Sequence, residues 1–339
     1  MLLSIITPFF NAEQNSKRLL KTLSIIDQKD VEVILINDGS TDNTYSMLKD
    51  FKSSASVDNV IVIDQDNQGP GGARNSGLNI ATGEYVWFVD CDDDIKLQAI
   101  DTVREVRDKS YDFIDFNIEN KTGTVNSMKI DAGEYNNDNT PELSILLLNS
   151  FGRIWSKIIR RELITANDIY YPEYCLYEDN PLVCIYPFFT KSFLKTNTVG
   201  YIHQEEYESI TRSKPSLKIL DRLHTSIYGL EQGLSLARNE KEVKLLEEYF
   251  IYKYLIVTSI LLYSKKPSRN WLVIWRVMRQ YRILAKEFGI KTNALKIMQT
   301  KSYNTKFQAY FMSHWFASQF ILTNQKKHFE NINKINWPQ

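Results

Sequence analysis

Through the first 120 residues, short apolar runs alternate with polar, helix-like stretches. The runs at 2–6, 31–36, 60–63 and 85–89 are mostly apolar, too short for helices and too continuous for strands with one wet face. They read as buried strands. Between them, 12–26, 42–53 and 71–81 read as helices, the second announced by Ser40 and Thr41 with Asp42 in its first turn. Such alternation predicts a parallel sheet with crossover helices, extended by a further strand at 112–118. The fourth strand is expected to lead into a helix near Ile95, 119–140 to form a polar hairpin or crossing loop, and 180–189 to form a helix. From about residue 216 the pattern is helical, rich in Leu, Ile, Tyr and Lys, with a break at Pro267.

Charge divides the chain in the same place. The 339 residues carry no net charge, yet 1–213 hold 20 Lys/Arg against 33 Asp/Glu, and 214–339 hold 21 against 8. That sorting predicts two domains, 1–213 and a basic helical 214–339. At 43% hydrophobic and 24% charged, the composition suits a soluble globular protein large enough for a full catalytic domain. Cys91, Cys175 and Cys184 are odd in number and lack zinc-type spacing, so neither a disulfide framework nor a structural zinc site is expected. A cytoplasmic location fits. The N-terminus lacks a basic leader and reads as a strand, and the later apolar stretch 254–263 is about half the ~20 residues of a membrane span.

The chemistry gathers at the ends of the strands. Asp90, Asp92, Asp93 and Asp94 crowd into five positions where the fourth strand ends. Carboxylates at that density repel unless a cation sits among them, and a few hard oxygen ligands suit Mg²⁺ or Mn²⁺ shared with a substrate's phosphates. An acidic cap on the following helix is the plainer alternative. The first strand ends in Thr7-Pro8-Phe9-Phe10-Asn11 and the second in Asn37-Asp38-Gly39-Ser40-Thr41-Asp42. Asn67-Gln68-Gly69-Pro70-Gly71-Gly72-Ala73-Arg74-Asn75-Ser76-Gly77-Leu78 follows the third. Its glycines follow the wrong strand for a dinucleotide fingerprint and read as close helix packing.

Taken in order, these four motifs resemble those of family-2 glycosyltransferases of the GT-A fold, in particular bacterial enzymes that build capsule, O-antigen and exopolysaccharide. The resemblance covers residues 1 to about 212. It implies an α/β fold with a Rossmann-like, mostly parallel sheet flanked by helices, a nucleotide-binding half at 1–118 and an acceptor half at 119–213. It also implies roles. Thr7, Phe9 and Asp38 resemble contacts to the nucleotide base, and Asp90 a contact to ribose and metal. Asp92 is similar to the carboxylate that holds the cation against the diphosphate, with Asp93 as a nearby substrate or outer-layer acid. Arg74 resembles a basic residue at the nucleotide edge that meets phosphate or braces Asp38, with a structural salt bridge as the plainer alternative. Arg153 to Leu163 and Tyr177-Glu178-Asp179-Asn180 resemble the acceptor-side signature, in which the Glu-Asp pair supplies the base; Asp179 is the first candidate and Glu178 the second. Trp155 reads as the floor of an acceptor site or as core, and Lys157 as a cation for phosphate. Tyr201 to Arg212 resembles the segment that folds over the diphosphate, with His203 where Arg is common. Asn37, Phe10 and Cys91 depart from the usual Asp, Tyr and Ser.

The resemblance implies a metal-dependent, inverting transfer from a nucleotide-sugar, most simply a UDP-sugar, to a glycan or lipid-linked acceptor. A nucleotidyltransferase would need the same carboxylates and cation, and a silent scaffold would be expected to lose Asp92 or Asp179. The segment 265–306 carries eleven Lys/Arg against Glu287 alone, with Trp271, Trp275 and Tyr281 interleaved. It reads as a peripheral contact with the anionic inner face of the membrane, as a helical cap, or as a partner for the acidic first half. No nucleic-acid motif accompanies it.

Overall fold

The computed structural model describes residues 1–27, 29–54, 59–204, 221–264, 267–300 and 305–318. The chain forms two compact units, Met1–Lys214 and Pro215–Gln339.

In the first unit, β1 (Leu3–Phe9), β2 (Val31–Asp38), β3 (Val60–Gln65) and β4 (Tyr85–Phe88) lie in the parallel order β3-β2-β1-β4. β1 and β2 are buried almost throughout, because helices cover both faces. Leu3, Ile5 and Phe9 point into one core with α1 (Lys17–Leu23), α2 (Thr44–Ser54) and α4 (Gln98–Glu105), while Ile6 faces α3 (Gly69–Ile80). β1 lies between β2 and β4, which diverge to opposite sides of it, so a crevice opens at its C-terminal end.

Beyond β4 the pairing is mixed. β6 (Phe113–Asn120) and β9 (Lys157–Arg160) continue the sheet antiparallel to their neighbours, and β10 (Ser192–Ile202) runs parallel to β6. β5 (Asp94–Ile95) and β8 (Gly133–Asn136) pair antiparallel with β10, and β7 (Gly123–Val125) with β6. Three short helices complete the unit: α5 (Leu143–Ser150), α6 (Arg161–Thr165) and α7 (Tyr186–Phe189).

Several expected elements change. The helix expected near Ile95 waits until Gln98, because Asp94 and Ile95 pair with β10 first. The helix expected over 180–189 is a 3₁₀ turn at Leu182–Cys184 followed by the single turn of α7. Pro181 and Pro187 prevent a continuous hydrogen-bond ladder there. No long helix dipole therefore acts on Asp179.

The second unit is helical: α8 (Asp221–Leu236), α9 (Glu240–Phe250), a π-helical segment at Ile251–Val257, α10 (Thr258–Ser264), α11 (Pro267–Glu287), α12 (Ala294–Thr300) and α13 (Thr305–Ala317). Asn239 caps α9 by accepting from Glu242 N at 3.0 Å. The apolar stretch 254–263 packs inside this unit, with Tyr254, Leu255 and Ile256 buried. Among the described residues no helix is long and apolar enough to cross a membrane.

Candidate active site

The crevice is built from loops stapled to one another. Asn11, at φ +49°, turns the chain out of β1, and its Oδ1 accepts from Thr41 N at 2.8 Å. Ala12 N donates to Thr44 Oγ1 at 2.8 Å, so the loops after β1 and β2 are held as one piece. Asp38 ends β2 with Oδ1 occupied by Gln65 Nε2 (2.8 Å) and Gln68 N (2.9 Å), while no described residue donates to Oδ2. Thr7 lies below, fully buried, its hydroxyl without a partner among the described residues. Phe9 requires a correction. Its ring is entirely within the core, and the aromatic ring facing outward at the end of β1 is Phe10, 52% exposed. Alternation along a strand puts neighbours on opposite faces, and here it is Phe10 that turns outward while Phe9 turns into the core.

α3 supplies the central cation. Arg74 is buried and bridges Asp90 (Nη2–Oδ1 2.6 Å) and Glu178, with its guanidinium 5.2 Å from the Tyr171 ring centre. It does not brace Asp38, which Gln65 and Gln68 hold instead. The next residue, Asn75, clamps Tyr171 through both backbone groups, at 3.0 Å from its N and 2.9 Å from its O. Gly71 allows this docking, since a Cβ there would lie 2.1 Å from Pro172 O. The docked loop contains Tyr174 and Tyr177 at φ +56° and +64°, a left-handed conformation costly for bulky residues. It delivers Glu178 and Asp179 to the crevice.

The acidic cluster is three different environments. Asp90 is partly exposed and paired with Arg74. Asp93 is buried, and its oxygens accept from Tyr201 Oη (2.7 Å) and Gln204 N (2.7 Å) and meet His203 Nδ1 (3.1 Å), so it holds the turn together and has no oxygen to offer a substrate. Among the described residues Asp92 meets only its own backbone N–H. Burial and the adjacent charges of Asp90 and Asp93 raise its pKa from 3.8 to about 6. A cation beside Asp92 would relieve that strain, so the side chain suits a metal shared with phosphate oxygens. Among the described residues no three metal-binding side chains converge into a preformed cage. His203 is shifted upward by its hydrogen bond to Asp93, against the pull of desolvation. Trp155 is half-buried and packs on Tyr201 and His203, with centroids 4.4 and 5.5 Å away. That is a packing role.

Glu178 and Asp179 divide clearly. Glu178 is buried against Arg74, and burial raises its pKa while the guanidinium opposes the shift. Asp179 is partly exposed, and no described residue donates to its carboxylate. Lys157, read as a phosphate ligand, is not one. It is fully buried, 2.7 Å from Asp115 Oδ1, and Asp115 also pairs with the equally buried Lys195 at 3.1 Å. Desolvation lowers the Lys157 pKa, and Asp115 opposes that shift. Residues 205–212 of the segment expected over the diphosphate lie outside the described residues.

In the second unit, the aromatic face expected at 265–306 is mostly internal. Trp275 and Tyr281 are buried, and Arg282 stacks on Trp315 at 4.0 Å while donating to Trp315 O and Ser318 Oγ at 2.9 Å. Trp271, Ile283 and Phe316 are the large apolar side chains exposed there among the described residues. Lys265, Lys266 and Lys301 fall outside them.

Residues 4–167 match glycosyl transferase family 2. The chain is 28% identical over 217 residues to the poly(ribitol-phosphate) beta-N-acetylglucosaminyltransferase TarS of Staphylococcus aureus, a match covering 62% of this chain and 36% of that protein. It thus spans about a third of that relative's length. Over 295 residues it is 24% identical to the GalNAc(5)-diNAcBac-PP-undecaprenol beta-1,3-glucosyltransferase of Campylobacter jejuni, covering 86% of this chain and 90% of the relative. The crystal structure of S. aureus TarS 1–349 in complex with UDP-GlcNAc superposes with a TM-score of 0.55 at 23% identity, over 77% of this chain and 84% of that one. The mannosyltransferase PcManGT from Pyrobaculum calidifontis, solved with GDP-Man and Mn²⁺, gives 0.50 at 14% identity over 94% and 87%.

Proposed function

We propose, from the premise that residues 4–167 are a family-2 glycosyltransferase domain of the GT-A fold, that this chain moves a sugar from a UDP-sugar to a glycan or lipid-linked acceptor in the synthesis of a bacterial surface polysaccharide. The transfer is metal-dependent and inverts the anomeric carbon. The observation that carries this reading is Asp92, a carboxylate that among the described residues has no partner but its own backbone N–H, between two acids that are both engaged. The relatives' names support the substrate classes: one transfers to poly(ribitol-phosphate), another to an undecaprenol-linked glycan, and a solved neighbour holds UDP-GlcNAc.

Asp92, with Asp90 beside it, would hold Mn²⁺ or Mg²⁺, which supplies positive charge against the leaving diphosphate. The open Oδ2 of Asp38 accepts the N–H of a pyrimidine ring, and Phe10 offers that ring a face. His203, whose pKa Asp93 raises, would face the phosphates. Asp179 takes the proton of the acceptor hydroxyl as its oxygen attacks C1 from the side opposite the diphosphate. Glu178 is a positioning residue that holds Arg74 against Asp90.

A panel of nucleotide-sugars with Mn²⁺, Mg²⁺ or EDTA tests this through thermal stabilisation and the product released. A UDP-sugar should stabilise the protein and yield UDP only with metal. Release of inorganic diphosphate would identify a nucleotidyltransferase instead, and binding without turnover a silent scaffold.

A further inference from the structure

The aim of Asp92 is set by backbone, because among the described residues no other residue bonds its carboxylate. It sits in a four-residue turn, Asp90 to Asp93, closed by Asp93 N donating to Asp90 O at 3.2 Å. What holds that turn is therefore what aims the carboxylate.

One hydroxyl touches both ends. Tyr201 Oη accepts from Asp90 N at 3.2 Å and donates to Asp93 Oδ2 at 2.7 Å. Among the described residues no other side-chain atom bonds both. The ring is fully buried and packs at a tilt against Trp155, with centroids 4.4 Å apart. β10 carries register irregularities between Lys195 and Val199 and between Val199 and Tyr201, the kind of bulge that re-aims a side chain beside an active site. Gly200 lets the strand approach Phe116, since a Cβ there would lie 2.6 Å from that ring.

We propose that Tyr201 is a positioning residue for the metal site: its hydroxyl pins the Asp90 to Asp93 turn and so sets the affinity for a divalent cation bound with the nucleoside diphosphate. The inference rests on the metal-dependent reading above. Groups that orient metal ligands without touching the metal typically contribute 10- to 100-fold in affinity.

The test is Tyr201→Phe, which deletes the hydroxyl and keeps the packed ring. Mn²⁺ binding in the presence of UDP, followed by electron paramagnetic resonance, should weaken by about 10- to 100-fold. Metal-free uridine binding should stay within about twofold of wild type, because Asp38 and Phe10 are untouched. Should Tyr201→Phe fold poorly, Asp93→Asn and Asp93→Ala probe the same turn from its acceptor end, where Gln204 N and His203 also meet Asp93. Both remove the charge, but only Asn keeps an oxygen for the hydroxyl, so Asn should bind Mn²⁺ more tightly than Ala. Wild-type protein that binds no Mn²⁺ with UDP overturns the metal reading and this inference together. Wild-type binding with an unchanged Tyr201→Phe, or a parallel loss of uridine affinity, overturns this inference alone.

Discussion

Asp92 is held charged at neutral pH against its surroundings. Its pKa is about 6 in the folded protein and 3.8 when unperturbed, so between those values the folded state binds more protons than the unfolded one. Stability attributable to this group therefore falls as pH rises through that window, and the full cost persists above it. In metal-free protein at pH 7, Asp92→Asn should raise Tm by a few degrees, a relief on the order of 1–3 kcal/mol, while abolishing turnover. An unchanged or lower Tm in calorimetry would refute the electrostatic account. Asp179→Asn should keep UDP affinity within about threefold and lower kcat by about 10²–10⁴. Glu178→Gln should instead lower Tm, because it leaves Arg74 short of a counter-charge. If Glu178→Gln is inactive at normal Tm and Asp179→Asn is not, the base is Glu178. Motifs pointed to Arg74, Asp90, Asp92 and the Glu178–Asp179 pair, but misplaced Phe9 and Lys157 and said nothing of which groups would pair. Arg74 meets Glu178 across 104 positions and Lys157 meets Asp115 across 42, pairings that no local pattern encodes.

α3 shows how much function rests on a missing methyl group. With Pro172 O so close, Gly71→Ala must push the loop bearing Glu178 and Asp179 outward or lose its docking on Asn75. The expected result is a loss of about 1–3 kcal/mol in stability and a larger loss in kcat/KM, with metal-free uridine binding retained. Normal kinetics in that variant would show that the loop adapts. The four parallel strands were legible because continuous apolar runs separated by helical periods admit few other readings. The second half was less so: β5 is two residues long and depends on β10, about a hundred positions away, while β7 is three residues long and pairs with β6 just before it. Periodicity at 180–189 suggested a helix, and the two prolines overruled it.

At the scale of the whole chain, sorted charge anticipated the helical unit but not which way its aromatic side chains turn. With Trp275, Tyr281 and Arg282 internal, contact with lipid would fall to Trp271, Ile283, Phe316 and the exposed bases. Should the basic segment serve as a membrane platform, the protein will co-sediment with anionic vesicles and be released by salt, and Trp271→Ser with Lys286→Glu will weaken it. No sedimentation at low salt would dismiss the platform. β10 has a consequence of another kind. Among the described residues it is the last strand of the first unit to be synthesised, yet it lies inside the sheet, with β6 on one side and β5 and β8 on the other. A chain leaving the ribosome makes its acidic turn early and must wait for residue 201, on the order of 5–20 s at ordinary translation rates, before that turn is pinned. The acidic turn is thus among the first parts of the unit produced and among the last set, so a nascent chain carries these carboxylates unaimed until β10 has docked.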